Sequence, residues 1–194
     1  MGGRKQKFKS LKKSIYVIGE GITEQYYFSH LKVIKKYRCA VKPRFFKNTS
    51  IADIESQIEQ LLKEDITIVC VFDADNSGRS KKEQERLNNL KAKYSENKNV
   101  VLCDSLPSIE YWFLLHYIDK CPHYQNAKAV ENDLKKFIQD YKKTEVFLKK
   151  QKWVKDLTEV NGCLKSAIRR ASKQKDTPSY SNIYKAIKLL QQKT

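Results

Sequence analysis

The chain has 194 residues, and it has no paired cysteine motif, little histidine and no long apolar run. Each absence removes a class of protein. Five cysteines, Cys39, Cys70, Cys103, Cys121 and Cys163, are odd in number, scattered and without a C-x-x-C pair, which argues against a disulfide framework and against a zinc clip. Cys70 and Cys103 fall within apolar strand-like runs and read as small buried hydrophobes. His30, His116 and His123 have no ligand spacing, so a zinc hydrolase is not supported, and His116 reads as a satisfied interior histidine. No stretch approaches the roughly 20 apolar residues that span a bilayer. The leader MGGRKQKFKS lacks the apolar centre of a secretory signal, and Gln6 stands where myristoylation wants Ser or Thr. The expectation is a cytoplasmic protein with reduced thiols and no membrane attachment.

Acidic residues are also in short supply. Asp and Glu number 22 against 39 Lys and Arg, a formal net charge of +17. Such a surface attracts polyanions, so nucleic acid is the leading partner class, with a lysine-rich coding bias as the plain alternative.

Against that basic background, four acidic residues stand at or just beyond the ends of apolar runs. Glu20 follows the strand-like Ser14 to Ile18, Asp73 and Asp75 follow Ile66 to Phe72, and Glu110 lies at the start of the helical SLPSIEYWFLLHY. Carboxylates gathered at the carboxyl edge of a parallel sheet repel one another and are comfortable when a divalent cation neutralises them, which points to Mg2+. After a strand, the two side chains of a D-x-D can converge on one ion. An isolated D-x-D is more often a solvated turn.

The remaining pattern alternates strand and helix. Gly19, Glu20 and Gly21 break the first strand before a helix that Thr23 can cap, with Tyr26, Tyr27, Leu31 and Ile34 on its inner face. A second strand is expected at Val41 to Phe46, then an amphipathic helix from Ile51 to Leu62 capped by Ser50. Ile66 to Phe72, apolar on both faces, reads as the central parallel strand. Asn76 to Arg79 reads as a polar turn, Lys81 to Tyr94 as a charged helix, Asn99 to Cys103 as a strand, and Pro107 as part of the first turn of the next helix. Beyond about Cys121 no strand signal remains, and three or four helices are expected. Fold class is therefore α/β, a parallel sheet flanked by helices, with a basic C-terminal helical extension. Residues 1–12 form a basic leader, 13–120 the α/β domain and 121–194 a basic helical subdomain. Within the last, Lys149, Lys150, Lys152, Arg169 and Arg170 are the candidate phosphate contacts.

The blocks GEGITEQYYF, VFDADN and SLPSIEYWFLLHY, in that order, resemble the RloB/AbiL-like bacterial Toprim family, found near restriction and phage-resistance loci. The order strand, Glu20-Gly21, strand, Asp73-x-Asp75 is similar to the Toprim domain of topoisomerases, DnaG-type primases and OLD-type nucleases. The likeness covers roughly residues 12 to 118. It implies a Toprim-like sheet and a Mg2+-dependent nuclease, with Mn2+ as a substitute ion. It makes Glu20 a metal ligand or a proton-transfer group, Asp73 and Asp75 metal ligands, and Glu110 an additional acid of the catalytic set. Glu110 has a second account, since a carboxylate in a helix's first turn gains roughly 0.3 to 1 kcal/mol from the macrodipole. Glu24 matches the family's T-E pair and reads as a second ligand, a partner for a basic residue, or a solvated helix position. Ser108 reads as a first-turn residue or a phosphate donor.

Ile109 and Tyr117 depart from the family's usual Phe, and DTPSYSNIYKAIKLL only loosely matches its N-P-x-T ending, which leaves target choice open. RNA is slightly favoured over DNA, on the family alone. Surface Tyr and Phe could stack on unpaired bases, though most of the aromatic residues are needed for the core. The alternative is a noncatalytic nucleic-acid-binding or sensor subunit whose carboxylates hold a structural ion. A defence-system partner protein that restrains the chain is a further expectation.

Overall fold

Val69 and Val71 face one side of the sheet and Ile68, Cys70 and Phe72 the other, and this double burial puts their strand at the centre. A computed structural model describes residues 14–41, 50–64, 66–75, 79–160, 162–174 and 177–192. Its strands are β1 Ile15–Gly19, β2 Ala40–Val41, β3 Thr67–Asp73, β4 Val100–Leu106 and β5 Tyr180–Ser181, in the order β2-β1-β3-β4-β5. The first four are mutually parallel, and β5 runs antiparallel to β4.

The register aligns the strand ends that matter. Gly19 lies opposite Val71, and Asp73 lies opposite Ser105. The carboxyl ends of β1, β3 and β4 therefore share one edge of the sheet.

On one face, α2 Ile51–Leu62 and α3 Lys81–Tyr94 cover Ile18, Ile68, Cys70, Phe72 and Val100. Both helices start on a serine cap, Ser50 accepting from the Asp53 N–H and Ser80 from the Glu83 N–H. On the other face lie α1 Ile22–Ile34, α4 Ile109–Leu114 and the C-terminal helices, around one aromatic core of Tyr27, Phe28, Tyr111, Trp112, Phe113 and Tyr141. Those helices are α5 Ala127–Leu134, α6 Glu145–Leu148, α7 Lys152–Lys155 with a π-helical turn over Asp156–Val160, α8 Leu164–Ser172 and α9 Ile183–Gln192. They share the core of the sheet rather than standing beside it.

Several expectations change. Thr23 lies inside α1, whose cap is Gly21. Pro107 precedes α4 and its cap Ser108 rather than lying in the first turn. A strand does exist beyond Cys121: β5 has two residues and is held by side chains, with Tyr180 Oη and Asn182 Nδ2 donating to Asp104 at 2.9 and 2.7 Å and the Ser105 and Ser181 hydroxyls 2.8 Å apart. Five C-terminal helices replace the expected three or four among the described residues. Of the second strand, only Ala40–Val41 is described; positions 42–46, the leader 1–12, and 76–78 of the polar turn lie outside the described residues. No helix among the described residues is long and apolar enough to cross a membrane.

Candidate functional site

Glu20 extends the ladder one residue past β1, its N–H donating to the Val71 carbonyl at 3.0 Å. Its carboxylate turns along the sheet edge, where Oε2 accepts the Asp73 N–H at 3.1 Å. Arg79 then reaches back across the turn after β3, its Nη2 lying 3.0 and 3.2 Å from the two Glu20 oxygens and 2.8 Å from the Asp73 carbonyl, while Nε donates to the Asp75 carbonyl at 3.2 Å.

Glu24 is 5% exposed and folds back over the first turn of α1, where Oε2 accepts the Gly21 N–H at 2.9 Å. Two glycines make room for it. A Cβ on Gly19 would lie 2.6 Å from the Glu24 Cβ, and one on Gly21 would lie 2.8 Å from its Oε2.

Glu110, in the first turn of α4, is fully buried. Tyr141 Oη donates to Oε1 at 2.7 Å, and Ser108 Oγ and Lys143 Nζ lie 2.6 and 2.8 Å from Oε2. This pairing, more than the macrodipole, is what makes the buried charge tolerable. Lys143 is held above its ordinary value: burial acts to lower it, and the charge and hydrogen bond of Glu110, with the charges of Asp73 and Glu24, outweigh that.

Asp73 sits between these groups, with Oδ1 accepting the Ile109 N–H at 2.8 Å. Burial and then the charges of Glu24 and Glu110 push its carboxyl well above the ordinary carboxylate range, against the opposing charge of Lys143. Glu24 is raised to about 7, by burial first and by the charges of Glu110 and Glu20, although its own backbone amide and the charge of Lys143 act to lower it.

The structure thus brings Glu20, Glu24, Asp73 and Glu110 to one edge. Asp75, half-buried, lies two residues beyond Asp73 on the same turn, and its carbonyl is fixed by Arg79. Sequence reading missed Arg79, Lys143 and Tyr141 as members of the site. A basic residue in the turn after D-x-D was the one available signal for Arg79; nothing local marks Lys143 or Tyr141.

Among the described residues, no three carboxylate, imidazole or thiolate groups form a metal cage; Glu20 pairs with Arg79 and Glu110 with Lys143. The donor set nevertheless suits a hard divalent ion. It is all oxygen, four carboxylates meet two cations, and the second oxygen of Asp73 accepts no hydrogen bond among the described residues.

The other expected residues are dispersed. Lys149 pairs with Glu145, and Lys152 with Asp156, on the exposed surface of α6 and α7. Lys150 is exposed between them, and Arg169 is exposed on α8. Arg170 is committed to the fold: its side chain is 11% exposed, donates to the Leu115 carbonyl at 2.7 Å and pairs with Asp119. His116 is only half satisfied. Its Nδ1 lies 3.0 Å from the Trp112 carbonyl and therefore donates, and the buried Nε2 has no partner among the described residues.

A model of the family described as RloB-like protein matches residues 15–190. No curated protein and no solved structure matches the chain.

Proposed function

The chain belongs to the RloB-like family, and we propose that it hydrolyses phosphodiester bonds of nucleic acid with a divalent cation, Mg2+ or Mn2+, at the acidic edge of a Toprim-like sheet. One observation carries the reading: Asp73 and Glu24, both raised by burial and by neighbouring carboxylates, lie at an edge with more carboxylates than cations. Asp73, Glu24, Glu20 and Asp75 would hold the ion. When bound, such an ion neutralises charge on the scissile phosphate and lowers the pKa of an attacking water. Glu20, anchored to Arg79, is placed to take or give a proton, and Glu110 with Lys143 forms the far wall. A phosphate arriving at this edge meets Arg79 and Lys143 as the local positive charges.

The likeness to Toprim proteins near phage-resistance loci supports a role in bacterial anti-phage defence, in the cytoplasm and with a restraining partner protein, and tilts the substrate toward RNA. The second reading, a noncatalytic binding or sensor subunit, is favoured by the same two ion pairs, since Glu20–Arg79 and Glu110–Lys143 already neutralise half of the acidic set without an ion.

The test compares the protein with Asp73→Ala on labelled tRNA, single-stranded RNA, and single- and double-stranded DNA, with Mg2+, Mn2+ or EDTA. Cleavage that needs metal and disappears in the variant is the expected result. Salt-sensitive binding without cleavage, the same in both proteins, would favour the binding subunit.

A further inference from the structure

A cleft of about 300 Å3 opens among the C-terminal helices, lined by Tyr117, Phe137, Phe147 and Trp153 and rimmed by Lys150 and Lys152. That volume is at the small end of ligand sites, which span roughly 300 to 1,000 Å3. Tyr117 and Phe137 stack in parallel, ring centroids 4.9 Å apart and planes 10° from each other. Phe137 remains 42% exposed, although burying such a ring is favourable. Lys150 makes no ion pair among the described residues, and Lys152, whose side chain is 81% exposed, pairs only with Asp156 on the same rim.

We propose that this cleft takes one unpaired base of a single-stranded nucleic acid. The inference rests on nucleic acid being the ligand of the chain and not on its cleavage. An aromatic floor offers a π-face to any base, and lysines beside it meet the flanking phosphates; this combination is how sequence-tolerant single-strand binding works. A base in a duplex is already stacked and paired and cannot enter. Gln139 and Asp156, also lining the cleft, supply a donor and acceptors for a base edge. Tyr141 touches both regions: its ring meets Phe147 at 5.4 Å between centroids, and its hydroxyl donates to Glu110.

The experiment measures fluorescence anisotropy of the full chain with a labelled oligonucleotide, single-stranded or as a blunt duplex, in EDTA. Phe137→Ala is expected to weaken single-strand binding by about tenfold or more, the range of a lost base stack, and to leave duplex binding unchanged. Phe137→Tyr restores the affinity. Lys150→Ala, on the open surface, lowers the slope of log affinity against log salt by about one and keeps the preference for single strands. Thermal melting of each variant verifies that it is folded. Unchanged single-strand affinity in Phe137→Ala, an equal loss for duplex, or no nucleic-acid binding by the parent protein would overturn the proposal. If the parent protein cleaves nothing while Phe137→Ala still loses single strands, the base cleft stands and the nuclease reading falls. If the parent protein cleaves and Phe137→Ala binds single strands as tightly as it does, the nuclease reading stands and the base cleft falls.

Discussion

Replacing Glu24 by Gln should stabilise the protein, and by more at high pH than at low. The native carboxyl holds its proton up to about 7, whereas an unfolded glutamate releases it near 4.5. The folded state therefore binds more protons between these values, and stability falls as pH rises through the window. At ~1.4 kcal/mol per pH unit, the ionisation of Glu24 costs the native state about 1 kcal/mol at pH 5 and about 3 kcal/mol at pH 7.5. Glutamine keeps an oxygen for the Gly21 N–H and carries no charge to desolvate. For a chain of this size, ~3 kcal/mol corresponds to a melting temperature higher by about 6 to 12 °C.

His116 works in the opposite direction over an overlapping range. Burial depresses it to about 3, so it is neutral when folded and must charge on unfolding as pH drops below about 6.5, which removes stability at acid pH. Wild type alone would show the two slopes partly cancelling. The informative quantity is the difference between Glu24→Gln and wild type at each pH in EDTA, from which His116 drops out. Mg2+ added at pH 7.5 should raise the melting temperature of the wild type and narrow the gap. A variant no more stable than the wild type at pH 7.5, or a gap equal at pH 5 and 7.5, would refute the account of Glu24 as a carboxylate raised by burial and crowding.

Other outcomes follow from the same geometry. Lys143→Met leaves Glu110 fully buried with only its hydroxyl donors and should cost about 1 to 3 kcal/mol in urea unfolding; adding Glu110→Gln should recover most of that. Gly19→Ala drives a methyl against the Glu24 Cβ, which is fixed to the α1 backbone, and should cost about 1 to 3 kcal/mol, whereas Gly21→Ala meets only the movable end of that side chain and should cost less. His116→Leu should flatten the loss of stability between about pH 6 and 4, measured by thermal melts across pH, because the group that must protonate is gone.

The sheet was legible because its strands have unambiguous burial. Ile66 to Phe72 is apolar except for Thr67 and appears as Thr67–Asp73, and the helices over 51–62 and 81–94 end where the apolar pattern places them. Placing Glu20, Asp73 and Glu110 required only that parallel strands end along one edge. The partners of these acids were not legible, because they arrive from far along the chain. Arg79 lies 59 residues from Glu20, and Tyr141 lies 31 from Glu110. Lys143 sits within a lysine-rich stretch whose other members face solvent, and no periodicity distinguishes the lysine that turns inward. Tyr180–Ser181 was not legible because two residues have no alternation to read, and the short pairing with β4 is reinforced by the side chains of Asp104, Ser105 and Asn182.

The two cations at the acidic edge are unequal, and this orders how the site can open. Arg79 binds both oxygens of Glu20 and the carbonyls of Asp73 and Asp75, so it shapes the turn that carries the D-x-D pair. Losing it would release backbone as well as charge. Among the described residues Lys143 makes one ion pair, to Glu110, on a side chain 40% exposed, and Glu110 keeps Ser108 and Tyr141 if that contact breaks. A phosphate or a cation approaching from solvent therefore competes with Lys143 at lower cost than with Arg79. Under the proposed function, Lys143 swinging from Glu110 to an incoming phosphate would leave an additional negative charge near Asp73 and Glu24 and so strengthen the pull on a divalent ion. Arg79, by contrast, keeps Glu20 and the turn in place throughout. On that reading, substrate binding and metal binding would be coupled through one lysine, without any movement of the strands.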